Sequence, residues 1–231
     1  MLSAIAIVPS APVLVPELAG AAAAEVADLA AATLAAAALL PDRWVAIGTG
    51  PEDDVLDSDA VGTFAGFGVD VRVRLSPQPG EDTAPPVAFP VCALLAGWVR
   101  GQAQPHAGAQ VRVYCADHDD DIAVRRGKDL RAELDRLPEP VGVLVVADGA
   151  NTLTPAAPGG YDPGNADAQD ALDDALASGD IAALRRLPRQ ILGRVAFQVL
   201  AGLAEPGPRS AKELYRGAPY GVGYFAGAWQ L

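Results

Sequence analysis

The chain is poor in the residues that usually announce chemistry. It has two histidines, His106 and His118, and two cysteines, Cys92 and Cys115, in 231 residues. Two cysteines cannot build a disulfide framework, and both read as buried free thiols. Basic residues never cluster beyond the pairs Arg125-Arg126 and Arg185-Arg186, and 29 acidic against 17 basic side chains leave a formal charge of −12. That balance argues against nucleic acid and against anionic membrane surfaces as partners. No basic n-region precedes the first apolar run, which Pro9, Pro12 and Pro16 interrupt, so no signal peptide is expected. The alanine-rich stretch Leu18 to Leu40 carries Glu25 and Asp28 inside it, which favours an amphipathic helix over a membrane span. A cytoplasmic protein is the expectation. The turn Gly48-Thr49-Gly50-Pro51 lacks the Lys-Ser/Thr of a phosphate loop and the full dinucleotide pattern. There is no Gly-X-Ser-X-Gly elbow, and neither cysteine has a sequence-near histidine.

What the chain does have is 51% apolar residues, enough to bury a sizeable core, with no internal repeat and no linker, so one domain over residues 1–231 is the economical reading. Strand-like and helix-like runs alternate, the pattern of an α/β layered domain. Strands are expected at Leu2–Val8, Arg43–Ile47, twice within Gly62–Leu75, at Val111–Cys115 and at Val141–Ala147, the last apolar almost throughout and therefore buried on both faces. Two more, Ala211–Tyr215 and Gly221–Ala228, close the chain as a hairpin-like return. Helices are expected over Pro16–Leu40, Pro90–Arg100, Val124–Arg136, Asn165–Ala177, Ile181–Leu187 and Arg189–Leu203. Glu52–Asp59 reads as an acidic loop and Ser76–Pro86 as a Pro/Gly-rich one.

Four segments, in order, carry a resemblance. The opening strand breaks into Pro9-Ser10-Ala11-Pro12 and restarts at Pro16-Glu17-Leu18. Val145-Val146-Ala147-Asp148-Gly149-Ala150-Asn151-Thr152 is a strand followed by a tight turn. Ala157 to Asp167 and then Asp173 to Asp180 run through a helix to a Gly-Asp step. Ala218-Pro219-Tyr220-Gly221-Val222-Gly223-Tyr224-Phe225 leads into the closing strand. Together they resemble the catalytic subunit of the class III extradiol ring-cleavage dioxygenases. The resemblance implies a three-layer α/β/α domain with a central mixed sheet. It also implies a site in which two histidines and a glutamate hold Fe(II) while another histidine serves as acid/base. Members of that family often form homodimers or pair with a small helical subunit, of which this chain has no counterpart.

Carried over residue by residue, that site is missing its histidines. The first iron position is Ser10, the second falls near Gly50, and the acid/base position is Thr152 with Asn151 beside it. A hydroxyl is a poor ligand for Fe(II), glycine offers no donor, and threonine does not titrate near neutrality. Glu213 is the nearest candidate for the carboxylate ligand, or else a solvated strand-edge charge. His118 lies among Asp117, Asp119, Asp120 and Asp121, a cluster that either binds a divalent metal or caps the following helix. His106 sits in a plain loop. Asp148, at the carboxyl end of a buried strand, either hydrogen-bonds a ligand or shapes its own turn.

The function expected from these residues is that of a divergent dioxygenase-like protein without iron or ring cleavage. It would keep a pocket of Ser10, Gly50, Asp148, Asn151, Thr152, Glu213 and Tyr220 for a small ligand or a partner, and no cofactor is expected. The alternatives are an Fe(II) dioxygenase rearranged around His118, or a metal-free enzyme with Asp148 or Glu213 as base.

Overall fold

A computed structural model describes residues 1–77 and 85–231. In chain order the elements are β1 (Leu2–Val8), α1 (Pro16–Ala19), α2 (Ala27–Ala37), β2 (Arg43–Gly50), β3 (Asp54–Leu56), β4 (Val61–Thr63), β5 (Arg72–Arg74), α3 (Val91–Ala103), β6 (Gly108–Cys115), α4 (Asp120–Asp135), β7 (Val141–Val146), α5 (Ala166–Ser178), α6 (Ile181–Leu184), α7 (Arg194–Leu203), β8 (Ser210–Gly217) and β9 (Tyr224–Gln230).

The main sheet has seven strands in the order β3-β6-β2-β7-β1-β9-β8. β6, β2, β7 and β1 run parallel, while β3 joins one margin and β9 and β8 the other in antiparallel fashion, so the sheet is mixed. All of Val141–Val146 is buried, because helices cover both faces of β7. The pleat divides the apolar side chains cleanly. Ala4, Ala6, Val8, Trp44, Ala46, Leu144 and Val146 meet residues of α2 and α3 on one face. Ile5, Ile7, Val45, Ile47, Val143 and Val145 meet residues of α4, α5 and α7 on the other.

Every residue of α7 is buried, Arg194 and Gln198 included. A helix apolar nearly all round belongs inside the protein, and α4 covers this one. The two helices touch at backbone distance: a methyl on Gly127 of α4 would strike the Val199 carbonyl, and one on Gly202 of α7 would strike the Val124 carbonyl.

Several expected elements are redrawn. The long helix over Pro16–Leu40 is broken into α1, a 3-10 turn over Gly20–Ala24 and α2, with Gly20 at φ +53° and ψ −122°, outside the helical region and open to glycine. The acidic loop contains β3, which pairs with β6 as an edge strand. Val69–Leu75 yields only Arg72–Arg74, which pairs with β4 in a separate two-stranded sheet. The last helix starts at Arg194 rather than Arg189. The loop expected over Ser76–Pro86 lies partly outside the described residues. Among the described residues, no helix is long and apolar enough to cross a membrane.

The glycine contact between α4 and α7 makes a direct prediction. Gly127→Ala and Gly202→Ala should each destabilise the protein by about 2–3 kcal/mol, because the obstructing atoms are backbone and cannot rotate away. Gly101→Ala in α3, where a methyl meets nothing within 4 Å, should instead gain up to about 1 kcal/mol from helix propensity. Urea unfolding of the three variants checks both signs.

Candidate functional site

β1 and β7 are parallel neighbours that stop level with each other, Val8 opposite Val146. Their exits are stitched together. The Ala147 N–H donates to the Val8 carbonyl at 3.0 Å, and the Ser10 N–H donates to Asp148 Oδ1 at 2.8 Å. β2 ends alongside, at Thr49 and Gly50. These carboxyl ends open on a cleft of about 320 Å³. Ser10 and Pro12 form the β1 side, Thr49 the β2 side and Val91 the start of α3, while Ala147 and Asp148 form the floor and Leu192 and Gly193 the approach to α7. The carboxyl ends of parallel strands are where α/β sheets receive ligands.

A larger depression, about 560 Å³, runs along β3, β6 and α4 between Asp53, Arg112, Arg126 and Glu133. Its charges are already matched: Arg112 pairs with Glu133 and Arg126 with Asp53. The smaller cleft differs in that no cationic side chain pairs with Asp148 among the described residues. Burial pushes the Asp148 carboxyl up to about 7, against the smaller opposing pull of the Ser10 N–H. Beside it, burial also raises the Tyr224 phenol, and the charge of Asp148 adds to the rise.

The turn that carries Asp148 is held from behind. The Gly149 N–H donates to the Gly223 carbonyl, and the Gly223 N–H donates to the Ala150 carbonyl, each at 2.8 Å. Gln169 of α5 accepts from the Ala150 N–H at 2.8 Å and donates to Asp173 at 2.9 Å. Its amide fills the space between Gly149 and Gly223, where neither could carry a side chain. Asp173 is buried, which raises its carboxyl to about 6 despite the Gln169 bond and nearby Arg216.

The structure brings Ser10, Gly50 and Asp148 to one edge of the sheet and disperses the rest. Thr152 accepts from the Asn165 side chain at 2.8 Å, so its hydroxyl fastens the loop. Asn151 packs against Gly159, whose N–H it accepts on its carbonyl. Tyr220 donates to Glu25 at 3.0 Å in the approach to β9. Glu213 is not at the cleft. It lies mid-way along β8, the outermost strand, where Arg216 pairs with both it and Asp174 of α5. Strand periodicity fixes that a residue alternates faces, not which face is which, and a bulge between Glu213 and Tyr215 resets the alternation there.

Neither histidine reaches the cleft walls. His106 contacts Asp42 ahead of β2, at the amino edge of the parallel strands. His118 lies 2.7 Å from Asp53. Burial alone would raise Asp53, but the Cys115 N–H, the His118 ring and Arg126 outweigh it and hold that carboxyl below its usual range. His118 also accepts on its carbonyl from Arg194, at 2.9 Å. Among the described residues, no group of three or more His, Cys, Asp or Glu side chains could hold a metal ion. The residues at the cleft do not fit ferrous iron, since they offer one carboxyl and hydroxyls but no imidazole. Gly50 has no room for a side chain either, because a methyl there would stand 2.6 Å from Val113 Cγ1.

In fold the chain is similar to the uncharacterized protein JW3007 from Escherichia coli K12, with a TM-score of 0.56 and 8% identity over 98% of this chain and 99% of that one. A likeness at that identity speaks for the α/β fold alone. No family model matches the chain, and no curated protein matches it.

Sequence reasoning found Ser10 and Asp148 but passed over Gln169, Leu192, Gly193 and Tyr224. Gln169 had a signal: it falls in the buried stripe of α5 with Leu172 and Leu176, where a polar residue needs a partner.

The raised Asp148 carboxyl predicts a pH dependence. Its folded value lies above the ordinary 3.8, so the folded state holds the proton more tightly, and stability falls as pH rises from about 4 through 7. Asp148→Asn copies the neutral form and keeps the acceptor for Ser10. The variant should match the wild type below pH 4 and exceed it by about 2–4 kcal/mol at pH 8. Denaturant titrations at pH 4, 6 and 8 read the difference, and parallel curves for the two proteins would refute it.

Proposed function

We propose that this chain is a divergent protein of the class III extradiol dioxygenase type that binds a small ligand at the cleft where β1, β2 and β7 end, without iron and without ring cleavage. The observation that carries the reading is the meeting of Ser10 and Asp148 at those strand ends. Ser10 stands at the resemblance's first histidine position, and its backbone is bonded to a half-buried carboxyl. The other two histidine positions, Gly50 and Thr152, carry a residue with no space for a side chain and a hydroxyl already bonded to Asn165. A concave site with apolar walls and a single polar group of raised pKa suits a compact organic ligand.

One further reading has a specific observation in its favour. A carboxyl near 7 in a cleft is suited to proton transfer at neutral pH, so Asp148 would be the base of a metal-free enzyme. In that case a pH–rate profile would show a single limb near 7, and Asp148→Asn would abolish turnover. Glu213 does not share this role, being paired with Arg216.

Two measurements test the ligand-site reading. A screen of small neutral and charged fragments, followed by amide NMR, should shift Ser10, Thr49, Asp148 and Gly193 together. A silent cleft, or shifts confined to other surfaces, would remove the proposal. Anaerobic loading with Fe(II) followed by desalting should leave substoichiometric iron and no catechol-dependent oxygen uptake. Stoichiometric iron with uptake lost in His118→Ala would favour the rearranged dioxygenase instead.

A further inference from the structure

The cleft holds a charge-bearing group that lacks its complement. Asp148 accepts the Ser10 N–H, and no Lys, Arg or His pairs with it among the described residues. The nearby cation, Arg194, is spent on Asp120, Gln198 and the His118 carbonyl. The Tyr224 phenol stands within the field of Asp148, while Glu25 and Asp28 act on Tyr220 and Tyr215. The pairing of β9 with β1, Gly227 opposite Ile7, carries Tyr224 to the level of Ser10.

Ligand classes meet this cleft differently. A carboxylate or phosphate would be repelled by Asp148 and by a chain of net charge −12. A neutral molecule would gain a hydrogen bond but leave the ionised carboxyl without a counter-charge. An ammonium would supply that charge. Pro12, Val91 and Leu192 offer apolar surface beside it, in a volume of about 320 Å³ that suits a single-ring molecule.

We infer that the cleft selects a small organic amine, its ammonium paired with the Asp148 carboxylate and its hydrocarbon part against Pro12, Val91 and Leu192. The inference rests on the reading of this cleft as a ligand site.

The test is an amide NMR titration of the full chain at pH 7.5 with three probes of one shape: benzylammonium, benzyl alcohol and benzoate. Benzylammonium should shift Ser10, Asp148 and Gly193 with an affinity about 10–100-fold tighter than benzyl alcohol, the range for a hydrogen bond to a charged group. Benzoate should leave those amides unmoved. Asp148→Asn should lower benzylammonium to the level of the alcohol. If that variant does not fold, the ranking of the three probes on the wild type decides. Equal or tighter binding of the alcohol or of benzoate overturns amine selection while leaving a ligand cleft in place, as does a preference that survives in Asp148→Asn. No shift with any of the three overturns amine selection, and the ligand-site reading falls with it only if the wider fragment screen is silent too.

Discussion

The rest of the structure depends on β7 being sealed. Its six residues are buried, and its backbone is paired on both sides, with β1 and with β2. Burying a Val or Leu side chain is worth about 1.5–3 kcal/mol, so this strand anchors the centre of the sheet, and β1 stops level with it. The chain can leave the sheet only at Ala147 and Asp148. There a peptide plane has lost its ladder and a carboxyl stands where water is scarce. The Gly193 N–H meets the Asp148 carbonyl, and the Ser10 N–H meets the carboxyl, giving β1 a bond across its proline break. The turn behind is then closed by Gly223 and Gln169.

Two carboxylates at this edge of the sheet show how differently a fold can treat the same group. Asp53 receives the Cys115 N–H, the His118 ring and Arg126, and its charge is held below the ordinary range. Asp148 receives one N–H and no cation, and burial drives it upward. The first arrangement fastens the end of β6 to the turn after β2. The second leaves a carboxyl with no cationic partner among the described residues beside open space, which is the ground for proposing a ligand there.

Legibility from the sequence followed the same physics. β7 is plain because burial on both faces writes an unbroken apolar run; Asp148 is legible because it follows that strand directly, and Ser10 because the resemblance marks its position. Alanine, which favours helix everywhere and marks no end, hid the break at Gly20. β3 was concealed by being short, acidic and at the margin, which is how edge strands are kept from pairing further. Glu213 is drawn to the pocket in the sequence because it is the nearest carboxylate ahead of the closing strand. The bulge and the face of β8 set it against Asp174 and Arg216 instead. Leu192 and Gly193 approach the cleft from a segment more than forty residues beyond β7, and no local pattern announces a contact of that kind.

The positions where the resemblance would place histidines also tell against treating the cleft as an iron site. Val113 of the neighbouring strand occupies the space a side chain at Gly50 would need, and Cys92 does the same at Gly48, so β6 and α3 have closed over the end of β2. Thr152 is turned to Asn165, and the loop from Asp148 to Asn165 is folded on that bond. Imidazoles placed at residues 10, 50 and 152 would therefore displace Val113 and open the loop before any metal could be held. The chemistry of the cleft has to be built from the groups that line it, of which, among the described residues, Asp148 is the one able to carry a charge.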